Sequence, residues 1–224
     1  MPQNNYAGIL DLLRVRISLV PPGEEAILKE TELSKEFGMS RTPIRQVLQS
    51  LEREHMLAIR SGYGSCVLAY DPEERSQSFQ LLRDLSWATA RYCEHVKLDQ
   101  AKVIEYAAIA QTISSANVRD AESYVTLAGR MILLHLTEVK DPILRDALMS
   151  TFWRVLRWRA DDVRNDPEAT WDVFTRTTMD IRDAAETGSF YKVMQAIAGI
   201  GDDFVEQIKK AEEADKNNLS IVNG

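Results

Sequence analysis

The sequence predicts a mainly α-helical chain: an N-terminal winged helix-turn-helix followed by an antiparallel all-helical bundle. Three stretches carry that expectation. Residues 30–52, ETELSKEFGMSRTPIRQVLQSLE, read as two short helices with a tight joint. Residues 56–70, MLAIRSGYGSCVLAY, read as a β-hairpin. Beyond Asp71-Pro72 there is only helical periodicity, interrupted by a few turns.

Taken in order, Ile9, Leu10, Leu12, Leu13, Val15, Ile17 and Leu19 predict a first helix, ended by Pro21-Pro22-Gly23. Leu33 and Phe37 stand one helical turn apart, and Gly38 stops that helix where a left-handed backbone is tolerated. Ser40 is expected to cap the next helix by accepting a hydrogen bond from a first-turn N–H. Pro43 falls in the same turn, where its missing N–H is no loss. Ile44, Val47, Leu48 and Leu51 then recur at i, i+3, i+4, i+7 as one buried stripe. Arg41, Thr42, Arg45, Gln46 and Gln49 lie away from it, on the exposed side. A short helix, a glycine turn and a second helix with arginines at its exposed start make a helix-turn-helix. In that unit the second helix enters the major groove and its N-terminal residues meet base edges. The β-prone runs flanking Ser61-Gly62-Tyr63-Gly64 predict a hairpin wing whose tip reaches DNA backbone or minor groove, with Gly62 allowing close approach.

The remainder predicts helices over roughly 73–95, 98–116, 118–139, 142–165, 168–187 and 189–213, with Asp141-Pro142, Asp166-Pro167 and Gly188-Ser189 as breaks. Lengths of ~15–25 residues with short joints imply an antiparallel bundle. The expected organisation is a DNA-binding domain over 1–71, a helical domain over 72–213 and a flexible tail over 214–224.

The formal net charge of −7 is unusual for a DNA binder, but it is not evenly spread. Residues 1–70 hold 8 Lys+Arg against 8 Asp+Glu, so the other 19 against 26 carry all of it. Affinity for DNA must then depend on where the arginines point. Cys66 and Cys93 fit neither zinc spacing nor a disulfide framework and are expected to be reduced structural thiols. No signal peptide and no apolar run near the ~18 residues of a membrane span is found, so no membrane partner and a cytoplasmic location are expected.

Pro21-Pro22-Gly23, Glu30-x-x-Leu33, the run from Phe37 to Arg45, Val47-Leu48 and Leu51-Glu52 resemble the GntR superfamily of bacterial transcription regulators over about residues 6–70. The resemblance implies a winged helix-turn-helix, a homodimer and a pseudopalindromic operator, with DNA contacts at Ser40, Arg41, Thr42, Arg45 and Gly62. One departure is Thr31, where the family often has an arginine two residues before the leucine matching Leu33. The helical remainder, with Asp-Pro-Ile-Leu-Arg-Asp-Ala-Leu and Ala-Ala-Glu-Thr-Gly, resembles the FCD-type effector domain of the FadR subfamily at scattered positions over about 78–212. Many such domains bind a divalent metal through one aspartate and three histidines. Aligned on Asp141-Pro142 and Gly188, those positions are Ala128, Ile132, Thr178 and Ile200, which supply no such ligands. A metal-free, cofactor-free and more apolar effector pocket is expected.

Phe152-Trp153-Arg154-Val155-Leu156-Arg157-Trp158-Arg159 has two readings. The aromatics are core with arginines along the surface, or Trp153, Arg154, Arg157 or Trp158 lines the effector cavity and an arginine clamps a carboxylate. Arg83, Tyr92, Arg130 and Thr178 are further effector candidates. Of the three histidines, His135 sits among leucines and reads as packed or hydrogen-bonded before it reads as a metal ligand. Glu52-x-x-His55 occurs once, whereas a di-iron bundle needs that motif twice. No nucleophile elbow, phosphate-binding glycine loop or paired-cysteine site appears, which argues against an enzyme.

The expected function is a ligand-responsive, sequence-specific regulator, a repressor, binding double-stranded operator DNA as a homodimer and a carboxylate or apolar metabolite as effector. The alternative is a constitutive DNA-binding dimer whose helical domain only dimerises.

Overall fold

The computed structural model describes residues 5–60, 64–201 and 204 of the 224-residue chain. Helix α1 spans Tyr6–Ser18 and starts where the Asn5 side chain accepts from the Gly8 N–H at 2.9 Å. A strand β1 follows at Ala26–Leu28, then α2 at Glu30–Phe37 and α3 at Arg41–Arg53. Gly38 closes α2 with a φ of 63°, and Met39 N–H bonds the Ser34 carbonyl 3.1 Å away, so the joint uses the left-handed region that glycine enters without steric cost. Leu33, Phe37, Ile44, Val47, Leu48 and Leu51 are buried together with Ile9, Leu13 and Ile17 of α1, which makes a three-helix core. Strands β2 (Ala58–Arg60) and β3 (Gly64–Val67) form the wing, whose tip residues, Gly62 among them, lie outside the described residues.

The sheet has three strands where a two-stranded hairpin was expected. Its order is β1-β3-β2, antiparallel throughout, with Ala26 opposite Val67 and Ala58 opposite Cys66. The additional strand, β1, ties the segment after α1 to the wing.

Helices α4 (Glu74–Tyr92), α5 (Gln100–Ser114), α6 (Ala121–Thr137), α7 (Pro142–Asn165) and α8 (Pro167–Glu186) form the bundle, and a further helix runs from 190 to 201. The predicted helices are present as far as the described residues reach; the end of the last, to 213, and the tail expected over 214–224 lie outside them. Their starts are set chemically: Asp99, Asp120, Asp141 and Asp166 each accept a hydrogen bond from a first-turn backbone N–H of α5 to α8. Pro142 and Pro167 follow directly in the N-terminal turns of α7 and α8. Cys66 and Cys93 are free and buried, and among the described residues no helix is long and apolar enough to cross a membrane.

Helix α7 is the centre of the molecule, packed by α4, α6 and α8 within the bundle and by α1 of the winged part. Its tryptophans and arginines divide by face. Trp153 covers Gly129 of α6, where an added Cβ would sit 2.8 Å from the indole, and lies 5.9 Å from the Arg14 guanidinium of α1. Arg154 bonds Glu74 at 2.5 Å. Arg157 is 1% exposed and donates to the carbonyls of Val20 (2.8 Å), Leu68 (2.6 Å), Pro21 (2.7 Å), Pro22 (3.4 Å) and Glu24 (2.8 Å). Its guanidinium also lies 4.5 Å from the centre of the Tyr70 ring, which packs against Trp158 at 5.8 Å. Burial pulls the Arg157 guanidinium below its ordinary basicity, with Tyr70 opposing that shift. It nevertheless remains a cation, as arginine does in proteins.

Neither reading of this stretch holds for Arg157. It neither lies along the surface nor enters a ligand cavity, but joins the bundle to two segments of the winged unit, one after α1 and one after β3. Arg157→Met keeps most of the stem and removes every one of these donors. Unpaired buried carbonyls cost about 1–3 kcal/mol each when nothing replaces their partner, so a loss of at least ~3 kcal/mol in the stability of the docked arrangement is expected. The check is thermal unfolding together with limited proteolysis at residues 68–74. Melting and cleavage rates matching those of the unaltered chain would show that the contact holds nothing.

Candidate nucleic-acid interface and interior cavity

The winged unit places one polar surface outward. Arg41, Thr42, Arg45, Gln46 and Gln49 are all exposed on α3, opposite the buried Ile44, Val47, Leu48 and Leu51. The helix is locked from behind: Tyr6 Oη pairs with Ser50 Oγ at 2.6 Å, Arg14 makes a two-bond contact with Glu54 at 2.8 and 2.5 Å, and Glu52 accepts from the Ile59 N–H of β2 at 3.0 Å. The wing therefore hangs from the end of the same helix whose start is exposed.

Two expectations are corrected here. Ser40 occupies the N-cap of α3 in extended geometry, but its side chain makes no cap hydrogen bond. The residue is exposed, so its hydroxyl and the first-turn N–H groups are left to external acceptors such as phosphate oxygens. Arg45 does not simply protrude: Nε donates to Glu30 Oε1 at 2.8 Å and Nη2 to Oε2 at 2.9 Å. The pair is at the surface, with the Arg45 side chain 60% exposed and that of Glu30 31%. Arg45's hydrogen bonds hold the Glu30 carboxyl below its ordinary range, and the charge of nearby Arg41 adds to this. An exposed pair of this kind contributes little to stability.

The bundle has a partly open pocket of about 110 Å³ between α4, α6, α7, α8 and the last helix. Phe79, Met131, Phe152, Leu156, Phe174 and Ile181 make its wall mainly apolar. Ala128, Ile132, Thr178 and Ile200 converge on it as well, so the four positions aligned with metal ligands do share one site. They do not fit a metal: three are hydrocarbon, and the Thr178 hydroxyl donates to the Phe174 carbonyl at 2.7 Å. Among the described residues no group of three or more His, Cys, Asp or Glu is placed to hold an ion.

Of the effector candidates, Thr178 alone lines this cavity. Trp153, Arg154, Arg157 and Trp158 face the winged part or the linker after it, as described above. Tyr92 is 61% exposed, Arg130 is exposed, and Arg83 is half-buried and bonded to Asp84 at 2.9 Å.

Sequence reasoning missed Arg159. It lines the cavity and donates from Nη1 to Asp162 Oδ2 at 2.6 Å and from Nε to the Tyr124 hydroxyl at 3.3 Å. Asp162 Oδ1 in turn accepts from Arg75 Nη2 at 2.6 Å. Two guanidiniums thus share one carboxylate, which leaves this cluster with an excess positive charge beside an apolar chamber. Burial opposes the charge on Arg159, but Tyr124 and Asp162 more than offset it and its basicity is raised. Its signal was helical spacing, since Phe152, Leu156 and Arg159 recur at i, i+4, i+7.

Comparison with known proteins agrees with this architecture. Residues 5–67 match the family described as bacterial regulatory proteins, gntR family. A helix-turn-helix-type transcriptional regulator of Agrobacterium vitis, from the TAR-I ttuE-ttuC' intergenic region, is 28% identical over 76 residues, which is 34% of this chain and 43% of that relative's length. The structure of Escherichia coli McbR/YncC superposes with a TM-score of 0.64 at 14% identity, covering 92% of this chain and 98% of that one. A GntR transcriptional regulator from Rhodococcus sp. RHA1 gives 0.59 at 20% identity with the same coverage of both chains. At those identities the two structures establish the shared fold.

His135 lines the same cavity, fully buried, with Nδ1 2.9 Å from the Tyr106 hydroxyl. Burial pushes its pKa down to about 3, so the ring is neutral at ordinary pH. Because that value lies below the unfolded-state value of about 6.5, the unfolded chain binds the additional proton at intermediate pH. The stability from neutral His135 is therefore complete above pH ~6.5 and is lost progressively as pH falls toward 3, about 2 kcal/mol by pH 5. Melting curves from pH 7 to pH 5 should show the unaltered chain losing more stability than His135→Gln. Equal losses would mean that this histidine is not the buried neutral group described.

Proposed function

With residues 5–67 assigned to the gntR family of bacterial regulatory proteins, we propose that the chain is a ligand-responsive, sequence-specific DNA-binding transcription regulator. It binds a pseudopalindromic operator as a homodimer, represses from it and acts in the cytoplasm, where its DNA partner is. Residues 1–71 bind DNA, and 72–213 bind the effector and dimerise. The observation that carries this reading is the exposed face of α3, where Arg41, Thr42, Arg45, Gln46 and Gln49 stand together on a helix held rigid by its own core. A helix so mounted enters the major groove, where arginine reads guanine O6 and N7 with two bonds. Ser40 and Thr42, at the helix start, serve phosphate oxygens.

The cavity favours ligand response over a purely constitutive dimer. An apolar cavity of about 150 Å³ holds benzene, so the pocket of about 110 Å³ suits a short-chain molecule smaller than that ring. Arg159, part of a cluster with surplus positive charge, suits a single carboxylate head. The effector class that matches both is a small monocarboxylic acid with an apolar tail. Helix α7 carries the cavity on one face and the Arg157 contacts on another. An occupant that binds two placements of the winged units unequally then changes operator affinity, and operator binding changes the occupant's affinity by the same factor.

Fluorescence anisotropy on operator duplexes selected from random DNA tests the DNA-binding half of this reading. Arg45→Ala should lower operator affinity by about 5- to 150-fold, the equivalent of the roughly 1–3 kcal/mol of one two-bond base contact, without lowering Tm. Unchanged affinity removes Arg45 from the interface.

A further inference from the structure

The carboxylate of Glu30 occupies an unusual place for a DNA-facing surface. It is the first residue of α2, where the positive end of the helix dipole favours a carboxylate, and α2 is anchored by the buried Leu33 and Phe37. From there it takes one edge of the Arg45 guanidinium, the edge formed by Nε and Nη2. A guanidinium has five N–H donors in a rigid planar fork. Glu30 uses one on Nε and one on Nη2, so both N–H groups of Nη1 and the second of Nη2 remain. Those that remain include the parallel pair at the tip of the fork, the arrangement that meets two acceptors on a base edge.

We propose that Glu30 is a positioning residue for sequence reading: it fixes the plane and direction of the Arg45 guanidinium and leaves the tip of its fork for guanine. This rests on the DNA-binding reading given above. Without Glu30 the side chain of Arg45 is a long, exposed cation with many rotamers, equally able to meet any phosphate. With it, the rotamer is selected before DNA arrives, and less freedom is lost on binding. The carboxylate has a second consequence. A negative charge beside the major groove repels every duplex alike through the phosphate backbone. Glu30 therefore lowers sequence-independent affinity while favouring the matched sequence. A carboxylate kept for stability alone would repel every duplex but would not favour the matched sequence.

These opposed effects make the role measurable with the full-length chain. Random duplex DNA is enriched on the unaltered protein, and affinity is then measured for the winning sequence and for a scrambled duplex of equal length and salt. Glu30→Gln is expected to bind the scrambled duplex more tightly and the selected duplex more weakly. The ratio of the two affinities should fall about tenfold or more at unchanged Tm. The enriched sequences should also lose their guanine preference at the Arg45 contact. A Glu30→Gln ratio within twofold of the unaltered chain overturns the assignment, as does a loss that appears only together with a lowered Tm. Failure of the unaltered chain to enrich any sequence overturns the DNA-binding reading and the role of Glu30 with it, which separates the two failures.

Discussion

One buried cation holds the two halves of this molecule in register. Arg157 reaches from the middle of α7 to carbonyls in two segments of the winged unit, four in the Val20–Glu24 segment after α1 and one at Leu68 after β3. A charge this deeply buried is tolerable only because backbone oxygens surround it. Pro21 and Pro22 bring no N–H of their own to this segment, and backbone donors reach only part of it, Glu24 N–H meeting the Pro21 carbonyl at 3.0 Å and Tyr70 N–H the Pro22 carbonyl at 2.7 Å. The requirement is mutual, because the loop carbonyls need donors and the cation needs acceptors. Tyr70 and Trp158 close the remaining space around it.

That contact gives α7 its significance, because consecutive residues of one helix serve different clients. Phe152, Val155, Leu156 and Arg159 turn to the cavity, whereas Trp153, Arg154 and Arg157 turn toward the winged part and its linker. A second connection runs through Asp162, which the cavity residue Arg159 shares with Arg75 near the start of α4. An anion that binds Arg159 would compete with Asp162 for the same guanidinium, close to the point where the chain leaves the wing. Both routes are short, packed and made of groups with discrete partners, which suits a population shift between two placements.

How much of this was legible in the sequence depended on whether the signal was local. The joint between α2 and α3 was readable because Gly38 and the Ile44–Leu51 stripe act within a few residues. The starts of α7 and α8 were readable because aspartate followed by proline caps and opens a helix in one place. Strand β1 was not, because its three residues acquire strand character only by pairing with β3 some 40 residues later. That Trp153, Arg154, Arg157 and Trp158 turn toward the winged part or its linker is illegible for a related reason. A helix buried on several sides carries no sequence mark telling which face meets a ligand and which meets another part of the chain. Arg159 was overlooked among neighbouring arginines that looked equivalent. The Glu30–Arg45 pair was invisible because it spans two helices, and only their crossing brings the side chains together.

The proposed regulation works only if the state of the cavity is transmitted through α7 to the DNA-reading face. The most direct measurement needs no identified effector: Ala128, on the cavity wall, is replaced by leucine to fill the chamber from within, and operator affinity is measured beside Tm. The expected result is a Tm equal to or above that of the unaltered chain, as cavity filling provides, with operator affinity shifted at least about fivefold, the lower end of ordinary coupling between sites. A filled and stable protein that binds its operator with unaltered affinity would contradict it.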